Sequence, residues 1–200
     1  MSLWAWHTTE LVRLNPNHDV IADASLWVRR FAPIIPKGGA VLDLACGAGR
    51  HTALLASLGY GVLAVDRDIS AAQSLQSESI QIQALDLEGS DWPLMDQQFS
   101  GIVVTNYLYR PFLDQLPKML GEGGVLIYET FAEGNAAFGK PSNPNFLLNT
   151  GELLAFAARH GLKVVAYEDI YVDQPKPAMV QRLCAVKGGL KQRIPLQFQG

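Results

Sequence analysis

Between residues 40 and 130, short apolar runs alternate with stretches of helical spacing, the pattern of parallel strands joined by crossover helices. Residues 40–45 (AVLDLA) read as a buried strand, and residues 50–58 as the helix after it, closed by Gly59. Further strands are predicted at 61–65 (GVLAV), 80–85, 101–105 (GIVVT) and 124–130 (GVLIYET). Ser70 and Gln73 make a capping-box start for a helix to about residue 77. A helix over 111–120 contains Pro117, which should kink or shorten it.

The pattern then changes. Thr150 is placed to cap a helix over 152–160, stopped by Gly161. Strands near 162–167 and 179–186 follow, separated by "DQPKP", which is too short for a crossover helix and predicts an antiparallel hairpin. Ahead of the first strand, Val20, Ala24, Trp27 and Phe31 fall at helical spacing, with Asp19 before them and Arg29 and Arg30 at the end. Together these predict a Rossmann-like, doubly wound α/β fold. Its sheet is seven-stranded and mostly parallel, with a C-terminal antiparallel hairpin and helices on both faces. The expected organisation is an N-terminal helical cap over 1–36, a cofactor-binding domain over 37–187 and a tail over 188–200, in which Ile194, Leu196 and Phe198 alternate.

Composition narrows the function. Two hundred residues suit a single domain, and a formal net charge of −3 offers no basic footprint for nucleic acid. No apolar run reaches the ~18–20 residues of a membrane span, and the N-terminus lacks the layout of a signal peptide. A cytoplasmic protein, monomeric or homodimeric, is expected. Cys46 and Cys184 are far apart and without ligand spacing, so no metal is expected.

The chemistry concentrates in "VLDLACGAGRHT". Two cofactor classes use such a glycine loop at a helix N-terminus. A dinucleotide site calls for G-x-G-x-x-G, and Thr52 stands at the third glycine position. Asp43, inside an apolar strand, disfavours a pyrophosphate and favours a ligand carrying an ammonium and a sulfonium. Cys46 suits the tight turn as a small residue, and Arg50 and His51 open the following helix as either a solvated end or a cofactor contact.

These residues resemble the class I S-adenosylmethionine-dependent methyltransferases. "VLDLACGAG" is similar to their first motif, "VLAVDRD" to the second, "ALDLE" to the third, "FSGIVVTNYLYR" to the fourth, and "LGEGGVLIYETF" to the strand after it. The resemblance runs from about Phe31 to Val186, and within the family it is nearest the small-molecule branch, including the tellurite-resistance type. It implies S-adenosylmethionine as cofactor, S-adenosylhomocysteine as product, and a small-molecule methyl acceptor. It further implies that Asp43, Ala45, Gly47 and Gly49 cradle the methionine part. Asp66, with Arg67 beside it, would hold the ribose, Asp86 the adenine amino group, and Leu87 would lie near the ring. Asn106 would sit between cofactor and acceptor.

An Asn-Pro-Pro-aromatic motif, used in the family for planar amines, is absent from "TNYLYRP", which counts against DNA adenine and glutamine amide acceptors. Asn106, Tyr107 and Glu129 are the candidate catalytic residues. Tyr109, Arg110, Phe138 and Phe146 are the candidate acceptor contacts, the last two on a long irregular segment read as a binding loop. Glu129 has the alternative of bonding a backbone N–H or Arg110. Two rival functions remain: a nicotinamide-dependent oxidoreductase, and a protein that binds the cofactor without turnover.

Overall fold

The computed structural model describes residues 24–189. Trp4, Trp6, His7, His18, Asp19 and Val20, and the alternating tail at Ile194, Leu196 and Phe198, lie outside them. Among the described residues seven strands form one sheet: β1 (Ala40–Leu44), β2 (Gly61–Asp66), β3 (Ile80–Ala84), β4 (Phe99–Thr105), β5 (Leu120–Phe131), β6 (Leu162–Val172) and β7 (Ala178–Lys187). Their spatial order is β3-β2-β1-β4-β5-β7-β6. The first five are parallel, and β7 runs antiparallel to both β5 and β6. Strand order reverses between β1 and β4, the switch point outside which open α/β sheets bind ligands.

Alternation along the strands builds two cores. Leu42, Leu44, Leu63, Val65, Ile102, Val104, Leu126 and Tyr128 face one side with α5 (Glu152–Arg159), through Leu153 and Phe156. Val41, Val62, Val103, Val125 and Ile127 face the other, under α1 (Leu26–Phe31) and α2 (Arg50–Ser57), through Trp27, Phe31, Leu54 and Leu55. Burial on both faces explains why β1, β2 and β4 read as continuous apolar runs rather than alternating ones. Gly101 lets the chain around Ile35 lie directly on β4, since a Cβ there would meet the Ile35 side chain at 2.8 Å.

Three local expectations need correction, and the one at Pro117 is sharpened. The helix read as beginning near Val20 starts, in the described residues, at Leu26, because the Ser25 hydroxyl caps it by accepting from the Trp27 and Val28 N–H groups. The Ser70–Gln73 helix does not form. The Ser70 N–H bonds the Asp68 carboxylate, Leu75 packs on Gly49, and only a 3-10 turn at Gln73–Leu75 remains. The helix around Pro117 is two short pieces, α3 (Arg110–Leu113) and α4 (Leu116–Met119), each with a proline in its first turn. Gly151 at φ 72°, not Thr150, caps α5; the Thr150 hydroxyl bonds Glu133 instead.

Candidate functional site

The glycine loop is shaped by backbone conformation. Ala45, Gly47 and Gly49 have φ of 55°, 55° and 81°, so the chain turns sharply between β1 and α2. The two glycines answer different needs. A Cβ at Gly47 would meet nothing, and its N–H donates to Asp66 Oδ2 at 2.8 Å. A Cβ at Gly49 would collide with the Leu75 side chain, so Gly49 admits the turn that follows β2.

Asp43 lies beneath this loop rather than in a cleft wall. It is 1% exposed, and the Thr52 hydroxyl donates to it at 2.5 Å. Burial lifts its carboxyl to about 6, against the opposing pull of the Thr52 hydrogen bonds. Thr52, read from sequence only as a missing third glycine, is thus the partner that a buried carboxylate requires.

Above the strand ends opens a cleft of about 540 Å³. Of the sequence-derived candidates, Ala45, Gly47, Asp66, Arg67, Asp86, Leu87, Asn106 and Tyr107 line it. Asp43 and Gly49 support it from behind. Residues that the sequence did not single out also line it: Ala48, Glu88 and Thr105, together with Cys46 and Arg50, whose roles were left open. The Cys46 thiol is pushed up to about 12 by burial and by Asp43, which removes it as a nucleophile near neutral pH. Asp66 Oδ1 accepts from the Asp68 N–H, and Asp86 Oδ1 from the Glu88 N–H, so both carboxylates are aimed by their own turns.

The β4 end carries the second turn of the cleft. Asn106, at φ 54°, donates its N–H to the Glu129 carbonyl at 2.9 Å. The Tyr107 hydroxyl donates to the Leu87 carbonyl at 3.4 Å and the Tyr109 hydroxyl to the Glu88 carbonyl at 3.3 Å, pinning the segment after β3. Burial raises the Tyr107 phenol, which therefore stays protonated and is no base.

Behind Thr105 runs a polar row across four strands. Register places Thr105 opposite Glu129, Glu129 opposite Arg182, and Arg182 opposite Glu168. Arg182 bonds Glu129 at 2.6 Å and Glu168 at 3.0 Å. The Ser25 hydroxyl donates to Glu129 at 3.1 Å, and the Ser25 N–H to His51 Nε2 at 3.1 Å. His51, 1% exposed, reaches Thr105 Oγ1 through Nδ1 at 3.2 Å. Burial, aided by Arg50 and Arg29, lowers its pKa to about 3, so it is neutral. The solvated helix end considered for His51 is therefore not what forms. Glu129 engages Arg182 and Ser25, not Arg110, and does not line the cleft.

The acceptor candidates lie outside the cleft. Arg110 bonds Glu152 through two nitrogens at 2.8 Å and the carbonyls of Asn145 and Leu147 at 2.8 and 2.7 Å, tying the loop over 132–149 to α5. Phe138 packs on Tyr171 at the β6 edge with ring centroids 5.1 Å apart. Phe146 is about half exposed within a 3-10 turn of the same loop. Among the described residues no group of His, Cys, Asp or Glu is arranged to hold a metal ion, and no helix is long and apolar enough to cross a membrane.

Comparison with known proteins bears on this geometry. Residues 41–124 match the family described as methyltransferase domain. No curated protein matches the sequence. Among solved structures, TehB from Haemophilus influenzae is similar with a TM-score of 0.63 and 19% identity, over 85% of this chain and 62% of that one. The chain thus spans under two thirds of TehB. A TehB-like SAM-dependent methyltransferase from Corynebacterium glutamicum is similar with a TM-score of 0.59 and 22% identity, over 83% of this chain and 90% of that one. The 1,6-didemethyltoxoflavin-N1-methyltransferase of Burkholderia thailandensis, with bound 1,6-didemethyltoxoflavin and S-adenosylhomocysteine, has a TM-score of 0.60 at 17% identity, over 86% of this chain and 82% of that one. Residues 41–124 thus match a methyltransferase domain, and the chain around them has the fold of the class I S-adenosylmethionine-dependent methyltransferases.

Proposed function

We propose that this chain transfers a methyl group from S-adenosylmethionine to a small-molecule acceptor by in-line displacement. The observation that carries the reading is the order of groups along one cleft: Asp86 after β3, Asp66 at the end of β2, the glycine loop after β1, and Thr105 and Asn106 at the end of β4. That order suits adenine, ribose and the amino-acid end in turn. Asp66 offers a short acceptor to the ribose diol, Asp86 accepts from the adenine amino group, and Leu87 packs against the ring. Thr52, held on Asp43, occupies the position where a dinucleotide site needs its third glycine.

Loss of a neutral thioether needs no acid, so alignment and exclusion of water can supply the acceleration. The acceptor enters past Asn106 and Tyr107, and Tyr107 acts as a protonated hydrogen-bond donor or a wall. Arg110 influences acceptor choice indirectly, by holding the loop that carries Phe138 and Phe146, while Tyr109 braces the adenine side. A small acceptor is supported by the N1-methyltransferase of similar fold, which has 1,6-didemethyltoxoflavin bound.

Calorimetry with S-adenosylhomocysteine, beside NADH fluorescence, tests the cofactor. Binding of NADH with no heat from S-adenosylhomocysteine would replace this reading with an oxidoreductase. Transfer of labelled methyl to a cell extract freed of macromolecules tests the acceptor class. Binding without transfer would leave a cofactor-binding protein.

A further inference from the structure

We propose that Thr105 is a ligand-contacting residue, donating its hydroxyl hydrogen to the carboxylate of the bound methyl donor, and that His51 is the positioning residue that turns it there. This rests on the S-adenosylmethionine reading of the cleft. A backbone N–H can only donate, so the Ser25 N–H makes His51 Nε2 an acceptor. A neutral imidazole with that nitrogen lone pair in use carries its proton on Nδ1. Nδ1–H therefore donates to Thr105 Oγ1, and the Thr105 hydroxyl hydrogen has to point elsewhere. His51 is the hydrogen-bond partner that Thr105 Oγ1 has among the described residues, and the other side of Thr105 is the cleft.

Position along the cleft selects the ligand group. From β3 to β4 is three strand spacings, ~14 Å, which suits a nucleoside carrying an amino-acid tail. With the base toward Asp86 and the ribose at Asp66, the tail reaches Thr105. Its ammonium needs acceptors and its carboxylate needs donors. A hydroxyl whose oxygen already accepts from His51 serves as the donor.

The test compares S-adenosylhomocysteine with 5′-methylthioadenosine, which lacks the amino-acid end, by calorimetry. Thr105→Val should weaken S-adenosylhomocysteine about tenfold or more, the loss of a hydrogen bond to a charged group, and leave methylthioadenosine within about twofold. Thr105→Ser should restore binding. His51→Gln keeps an acceptor for the Ser25 N–H but removes the donor to Thr105, and should weaken S-adenosylhomocysteine selectively. His51→Asn keeps a donor at the Nδ1 position and should lose less. Nitrogen-15 spectra of the imidazole give a readout that needs no ligand: the proton should reside on Nδ1 from pH 5 to 8.

Equal losses for both nucleosides, or none in Thr105→Val, would overturn the carboxylate contact. A proton on Nε2 would overturn the positioning step. If wild type binds neither nucleoside, the methyl-donor reading falls and takes this inference with it; binding by wild type and an unaffected valine variant sinks the inference alone.

Discussion

The two halves of the sheet treat their polar groups in opposite ways. At the ends of β3 and β2, carboxylates are aimed by their own turns into an open cleft that the ends of β1 and β4 complete, and the buried groups behind lock a loop in place. Around β5, β7 and β6, polar side chains bond one another: Arg110 clamps Glu152 and two loop carbonyls, and Arg182 bridges Glu129 and Glu168. One half leaves hydrogen-bonding capacity for a ligand, and the other consumes it in holding the chain. A charge near a strand end therefore says little about binding until its partners are known.

The largest effect that separates the halves concerns pH. Asp43 and His51 are both buried in the cleft half, and burial shifts them in opposite directions. The Asp43 carboxyl is raised from 3.8 to about 6, so the folded state holds a proton that the unfolded chain has released, and stability falls as pH rises from about 4 to 6. His51 is lowered from 6.5 to about 3, so its contribution is present above 6.5 and is lost as pH falls. Asp43→Asn removes the first of these. Measured by urea unfolding, the variant should gain about 2–3 kcal/mol relative to wild type between pH 4 and pH 6.5. A pH-independent difference would mean that Asp43 ionises as an ordinary surface carboxylate.

Asp66→Ala should weaken S-adenosylhomocysteine by about 1.5–3 kcal/mol with little change in unfolding, because the side chain is partly exposed. Unchanged affinity in a folded variant would remove Asp66 from the ribose site. Arg110→Ala should show the converse. Stability should drop by about 1–2 kcal/mol, below the sum of its bonds because the side chain is one-third exposed, while nucleoside affinity holds. Lost affinity with stability kept would put Arg110 back among the ligand contacts. Smallest is Phe138→Ala, within about 0.5 kcal/mol in both stability and nucleoside affinity, since the ring is nearly half exposed at the far edge.

What could be read from the sequence follows the same divide. Gly47, Gly49, Asp66 and Asp86 announce themselves because backbone turns and strand-end acceptors leave local signatures. The strands were legible as apolar runs, and the hairpin from a connection too short for a helix. Thr105, His51 and Ser25 left no such mark. Their hydrogen bonds join residues 26 and 54 positions apart, and no local spacing encodes them. Arg110 was placed on the acceptor side by its neighbours in sequence, whereas its partner Glu152 lies 42 residues on. The helix over 70–77 was read from a capping pattern, and tertiary packing of Leu75 against Gly49 favours a turn there instead.

The row Thr105–Glu129–Arg182–Glu168 has a consequence for assembly. Among the described residues β7 is the last strand, yet it lies between β5 and β6. Pairing it first with β6 makes a hairpin that can dock as one piece, with less loop to close than inserting a lone strand. On docking, a slip of one residue would turn Arg182 away from Glu129 to the opposite face and bury its charge among Leu126, Tyr128 and Phe156. The acidic–basic–acidic alternation thus admits one alignment of the hairpin on the parallel sheet, and the strand end that forms the cleft's far wall is set in the same event.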